Sequence, residues 1–188
     1  MKVILISGSR NPQGQTARAA EAVLAGAAKA GAAVERAFLP SLVMERCRQC
    51  DDTGWGLCRK EGRCIIADDL KELVEKIRQA DAVVMATPVY YSDLSESLRA
   101  FTDRLRRIGT HEAGRASIKG KPVLGVCVAG GGGGGAPACC MSLERVLVTA
   151  GLDVVEMIPV RRQNLEAKLP ALELAGRWLA ADPARSAP

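Results

Sequence analysis

Short aliphatic runs alternate with amphipathic segments along almost the whole chain, and few architectures accept that order. Residues 2–7 are a nearly unbroken aliphatic run, which reads as a strand covered on both faces, as in a parallel sheet. Ala17, Ala20, Val23, Leu24, Ala27 and Ala28 then recur at helical spacing, with Thr16 as the expected N-cap and Gly31 as the stop. Further strands are expected at 33–38, 82–86, 122–129 and 154–158. Further helices are expected to open at Asp68 and Asp69, to cover Leu98 to Leu105 and Leu143 to Ala150, and to close the chain over 163–180. Residues 40–67 form an irregular insert after the second strand, and 181–188 read as a loose tail to a single domain spanning 1–188. The alternation predicts an α/β fold: a doubly wound, five-stranded parallel sheet of order 2-1-3-4-5, with helices on both faces and right-handed crossovers. A ligand then belongs at the topological switch point, where the loop after Ser7 faces the loop after Ala86.

Several classes are excluded by composition. With 26 Lys and Arg against 21 Asp and Glu, a net charge of +5 is too small and too scattered for a nucleic-acid partner. The first apolar run reaches Gly8 at once, too short for an export signal, so a cytoplasmic chain is expected. Residues 122–143 carry no charge, which suits a spanning helix by length. Six consecutive glycines, 130–135, interrupt them, and Pro137 follows, so the stretch reads instead as strand, glycine loop and helix with no membrane partner. Seven cysteines, an odd number without an export signal, favour free thiols or metal ligands over disulfides.

Three loops fall where a ligand is expected. The first, 8–16, joins a buried strand to a helix N-terminus, where free N–H groups attract an anion. Ser9, Gln15 and Thr16 add neutral donors and Arg10 a charge. Neither a G-x-G-x-x-G fingerprint nor a P-loop lysine is present, so the loop suits one terminal phosphate, or it merely caps a helix. The second, Thr87-Pro88-Val89-Tyr90-Tyr91-Ser92-Asp93, holds both tyrosines of the chain and would wall a flat aromatic ligand. In the third, from Gly130 and Gly131 onward, backbone N–H groups can approach a ring unobstructed.

Taken in order, Ile6-Ser7-Gly8-Ser9-Arg10, Gly14-Gln15-Thr16, Ala86-Thr87-Pro88-Val89-Tyr90-Tyr91 and Phe101-Thr102-Asp103-Arg104 resemble the NADPH-dependent FMN reductase family over about residues 1–158. The likeness is greater to its iron–sulfur flavoprotein branch, which has a flavodoxin-like fold. The resemblance implies FMN, with its phosphate at Ser9, Arg10, Gln15 and Thr16 and its ring against Pro88, Val89, Tyr90, Tyr91, Ser92, Gly130 and Gly131. It implies hydride from NADH or NADPH, a quinone, free flavin or other small acceptor, and a homodimer or homotetramer. Such chemistry resides in the flavin, so no catalytic side chain is assigned. The single histidine, His111, has no nucleophile elbow near it and reads as an exposed loop residue. Two rival readings are an electron carrier fed by a protein donor and a non-enzymatic interaction module on the same fold.

Cys47, Cys50, Cys58 and Cys64 are spaced C-x2-C-x7-C-x5-C within the insert. Thiolates at that density suit an iron–sulfur cluster or zinc, and the same residues serve equally as reduced thiols without a metal. Iron–sulfur flavoproteins carry a tighter third spacing. Here Thr53 stands at that position, and Cys58 would have to substitute to complete a 4Fe-4S set. Following strand two, the insert is expected on the carboxyl side of the sheet, walling the flavin pocket or a subunit contact, with Trp55 as its anchor. Cys127 reads as core, and Cys139 and Cys140 as packing near a helix start.

Overall fold

The computed structural model describes residues 1–181; the rest of the expected tail, 182–188, lies outside the described residues. Five parallel strands form one sheet in the order β2-β1-β3-β4-β5, namely β1 (Lys2–Ser7), β2 (Ala33–Phe38), β3 (Ala82–Pro88), β4 (Pro122–Ala129) and β5 (Asp153–Arg161). The strand order is the anticipated one, and β5 runs three residues beyond its expected end.

The side-chain period of two divides the core into two layers. Ile4, Ile6, Val83, Met85, Val123 and Cys127 face one side. They are covered by α3 (Leu70–Gln79), α4 (Glu96–Ile108) and α6 (Ala136–Thr149), with Leu73, Phe101 and Leu143 among the inward residues. Val3, Leu5, Val84, Leu124 and Val126 face the other side, beneath α1 (Gln15–Lys29) and α7 (Leu165–Ala181). Because β1, β3 and β4 are covered twice, they carry the continuous aliphatic runs that make them legible.

Two short helices, α2 (Leu57–Lys60) and α5 (Glu112–Arg115), interrupt stretches expected to be irregular. The first helix starts one residue before Thr16. Gly14 is its N-cap, and an Asx turn precedes it, with Gln13 N donating to Asn11 Oδ1 at 2.9 Å. The residues 122–143 resolve into β4, the glycine turn and the start of α6; among the described residues no helix is long and apolar enough to cross a membrane.

Candidate functional site

At the carboxyl edge of the sheet, three loops meet around one cavity of about 750 Å³, a size suited to a cofactor. The first loop is pinned to its neighbours. Gly8 N donates to Ala86 O at 2.8 Å, and Ser97 Oγ donates to Gly8 O at 3.2 Å. Gly14 caps α1 without any side-chain bond, and the first turn carries no acidic residue, so its N–H groups and dipole face the cavity uncompensated. Ser9 and Thr16 lie almost fully buried beside them.

The second loop is a tight reversal. Tyr90 and Asp93 exchange backbone bonds of 3.0 and 2.9 Å, which forces Tyr91 and Ser92 to φ values of 50° and 65°. Left-handed backbone at two successive non-glycine residues is strained. The reversal is held by an Asp93–Arg99 ion pair and by Ser95 N donating to Thr87 Oγ1 at 3.0 Å. Tyr90 lines the cavity, whereas Tyr91 at the tip is fully exposed.

The third loop supplies open backbone. A Cβ placed on Gly130, Gly131, Gly132 or Gly134 would meet nothing within 4 Å, while Gly133 N closes a turn on Gly130 O at 2.7 Å. Gly135 is different: its φ is 81°, and an added Cβ would lie 2.5 Å from Ser92 Oγ. The second and third loops therefore interlock at that point.

Of the residues singled out from sequence, Ser9, Gln15, Thr16, Pro88, Val89, Tyr90, Gly130 and Gly131 line this cavity together. Arg10 does not; it lines an adjoining hollow with Pro40, Glu96 and the other side of Tyr90. Tyr91 and Ser92 stand away from the cavity wall, one in solvent and the other against Gly135. Asn11, Gln13 and Arg18 line it unforeseen. Arg18 was within reach of the helical period, three residues after Gln15, and it is held by Glu166 at 2.6 Å.

Cys47, Cys50, Cys58 and Cys64 line a second, smaller cavity of about 20 Å³. All four are free and half-buried. Among the described residues, no three His, Cys, Asp or Glu side chains are placed to hold a metal ion. The shared cavity is instead walled by Leu57, Ile66, Ile108, Arg104 and Arg107. Arg104 and Asp68 form a buried pair, each side chain 1% exposed, with Nη1 to Oδ2 at 2.5 Å and Nη2 to Oδ1 at 2.8 Å. Burial pushes the Asp68 carboxyl up, but Arg104 and the Glu45 and Leu70 amides outweigh it and hold it below the usual carboxylate range. The Arg104 guanidinium also donates to Cys64 Sγ at 3.3 Å and to Glu45 O at 2.9 Å. Trp55 sits between Arg59 and Arg107, whose charges lie 5.5 and 4.6 Å from its ring.

The cysteines of the insert therefore do not wall the cavity at the switch point, the first of the two places expected for it. They follow α4 toward the amino side of the sheet, and only Pro40 reaches the hollow beside Tyr90. The chain descends because the buried Arg104–Asp68 pair ties its far end to the C-terminal half of α4. His111 caps α5, its Nδ1 accepting from Ala113 N at 3.1 Å. Cys127, Cys139 and Cys140 are buried against one another, and the hydrogen bonds Cys127 makes with the other two, with burial, push its thiol pKa up.

Residues 1–165 match the family described as NADPH-dependent FMN reductase. An iron–sulfur flavoprotein of Methanocaldococcus jannaschii is 36% identical over 111 residues, which are 58% of this chain and 55% of that one. A second iron–sulfur flavoprotein of the same organism is 30% identical over 171 residues, 91% of this chain and 80% of that one. The chain thus spans about half the length of the first relative and four fifths of the second. Among solved structures, an NAD(P)H:quinone oxidoreductase from Methanothermobacter marburgensis superposes with a TM-score of 0.68 at 23% identity, over 95% of this chain and 96% of its own. A flavodoxin from the domain Archaea gives 0.62 at 15% identity, over 96% of each chain. At those identities the likeness is one of fold, and the fold is flavodoxin-like.

Proposed function

This chain belongs to the NADPH-dependent FMN reductase family, and from that premise we propose that it is an FMN-dependent oxidoreductase taking hydride from NADH or NADPH and delivering electrons to a quinone, free flavin or other small acceptor. One observation carries the reading: three loops at the switch point enclose a single cavity with an uncapped helix N-terminus at one end and bare glycine backbone at the other.

The residues fit the cofactor. Thr16 and Gln15, in the first turn of α1, and Ser9 would bind the phosphate through neutral donors and the helix N-terminus, since Arg10 lies in a separate hollow and Arg18 is paired with Glu166. Pro88, Val89 and Tyr90 would pack against the ring, and the open backbone of Gly130 and Gly131 would leave room for it. Bound there, FMN supplies the hydride-accepting centre. The residues lining the cavity would orient that centre.

The insert gathers four free cysteines around one small cavity, with a guanidinium against one sulfur, but among the described residues no three of them are placed to hold a metal ion; a 4Fe-4S cluster at Cys47, Cys50, Cys58 and Cys64 would require them to rearrange. This cavity and the flavin cavity share no lining residue. That separation favours a second reading, in which electrons enter from a protein donor through the cysteines.

Anaerobic titration separates the two readings. Purified protein is expected to be yellow, to bleach with NADPH or NADH alone, and to regain colour with a quinone. A flavin that stays oxidised under both nicotinamides, yet is reduced by a low-potential protein donor, would replace the reductase by the carrier. Colourless protein that takes up no FMN would end both. A homodimer or homotetramer is expected by gel filtration.

A further inference from the structure

We propose that the hollow on the far side of Tyr90 is the electron-acceptor site, and that Arg10 selects there a flat aromatic acceptor carrying a negative charge. This inference rests on the reading of the chain as an FMN-dependent oxidoreductase and names the chemistry of its acceptor.

The hollow has a volume of about 440 Å³, and Tyr90 lines both it and the larger cavity. That size suits a compound of one or two rings rather than a dinucleotide. Its walls are fixed without a ligand. Gly8 N donates to Ala86 O at 2.8 Å, Ser97 Oγ to Gly8 O at 3.2 Å, and Ser95 N to Thr87 Oγ1 at 3.0 Å. The start of α4 lies so close on the first loop that a Cβ on Gly8 would stand 2.4 Å from Ser95 Oγ. Pro40 adds a stiff apolar edge from the insert, and the partly exposed ring of Tyr90 adds an aromatic one.

Two opposite charges line this hollow and neither is used. Elsewhere on the surface Arg18, Arg36, Arg48 and Arg63 are each paired with a glutamate. Among the described residues, the side chains of Arg10 and Glu96 have no hydrogen-bond or ion-pair partner, although both line the hollow. Arg10 is thus a free cation in a preformed aromatic hollow, with one tyrosine between it and the cavity proposed for FMN. A carboxylate or sulfonate on the acceptor would take its guanidinium through two parallel N–H bonds, while the ring of the acceptor stacks on Tyr90. Glu96, in the first turn of α4, opposes an anion and offsets the helix dipole, so the selection falls to Arg10. A quinone held there becomes the hydroquinone by taking up the two electrons and two protons that reduced FMN gives back, and FMN returns to its oxidised form.

The test is calorimetric titration of the FMN-loaded full chain with naphthalene-2-sulfonate, a redox-inert anion, and with the neutral naphthalene-2-sulfonamide. Arg10→Gln is expected to weaken the sulfonate about five- to tenfold at low salt and the sulfonamide less than about twofold, because one charge-assisted contact is lost at an exposed site. Glu96→Gln removes the opposing charge and should tighten the sulfonate about two- to threefold. After reduction by dithionite, reoxidation by subsaturating 1,2-naphthoquinone-4-sulfonate should slow in Arg10→Gln by the same factor, and reoxidation by neutral 1,2-naphthoquinone should not. Wild-type protein that does not bind the sulfonate, or an Arg10→Gln variant that binds it as well as wild type, would overturn the inference. So would an equal loss in Arg18→Gln, which would put the probe in the other cavity, or a tenfold weaker FMN in Arg10→Gln, which would return Arg10 to the phosphate. Protein that takes up no FMN would overturn the proposed function and this inference with it. FMN-loaded protein that shows the Arg10 dependence, yet is reduced by neither nicotinamide, would support the acceptor site and remove only the nicotinamide donor.

Discussion

Arg104 and Asp68 show how much a single pair controls at the residue scale. Each side chain is 1% exposed, so removing one partner strands a charge in the interior. Asp68→Asn is therefore expected to lower unfolding free energy by about 3–5 kcal/mol at neutral pH in denaturant titrations, and Arg104→Met in the same chain should restore most of it. The pH dependence follows from the sign of the shift. A carboxylate with a folded pKa below its unfolded value of about 3.9 contributes stability above that value and loses it as pH falls through the folded one. The gap between wild type and Asp68→Asn should thus be full at pH 5–7, taken as roughly one unit or more above that unfolded value, and should narrow below about pH 4. A gap independent of pH would show that the carboxylate's charge is not the cause. In the cavity proposed for FMN, Thr16 is the sharpest probe. A hydrogen bond to a charged group contributes about 1.5–3 kcal/mol, so Thr16→Ala should weaken FMN roughly 10- to 100-fold in a fluorescence-quenching titration.

Between elements, contacts depend on what is missing as much as on what is present. Helices α1 and α7 cross through Gly26 and Gly176. A Cβ on Gly26 would lie 1.9 Å from Glu173 O, and one on Gly176 would lie 1.8 Å from Val23 O. Both obstacles are backbone and cannot rotate away. Gly176→Ala should therefore force the helices apart, at a cost of about 1–3 kcal/mol or more, seen as a lower denaturant midpoint. Helix α4 joins the two sites. Its first turn is tied to the flavin loops through Ser95 and through Ser97 bonded to Gly8 O, and its last turns hold the insert through Arg104 and Arg107. Damage at one end of α4 is the structural route by which one site would feel the other.

For the whole molecule, FMN bound in the proposed cavity would bridge all three loops, so its binding should stabilise the fold by mass action. At a free concentration 100 times Kd, the gain is about 2.7 kcal/mol, or a rise of roughly 5–10 °C in melting temperature. A melting curve unchanged by FMN would argue against the cavity as its site. Much of this architecture was legible beforehand. The aliphatic runs Lys2–Ser7 and Pro122–Ala129 announce strands buried on both faces, and their alternation with helical periods leaves one economical sheet order. Local chemistry also marked Ser9, Thr16, Pro88 and Tyr90, because strand-to-helix loops must fall at the carboxyl edge. Side-chain direction was not legible. That Tyr90 faces the cavity and Tyr91 the solvent depends on a reversal closed by Asp93, and Arg10 lines the adjoining hollow while Arg18, one turn into α1, lines the cavity. The path of the insert was hidden most deeply, because it carries no hydrophobic period and is drawn along α4 by a pair 36 residues apart in sequence. Periodic burial is written locally and can be read from the chain, whereas a long-range ion pair acquires its strength only when folding removes both partners from water.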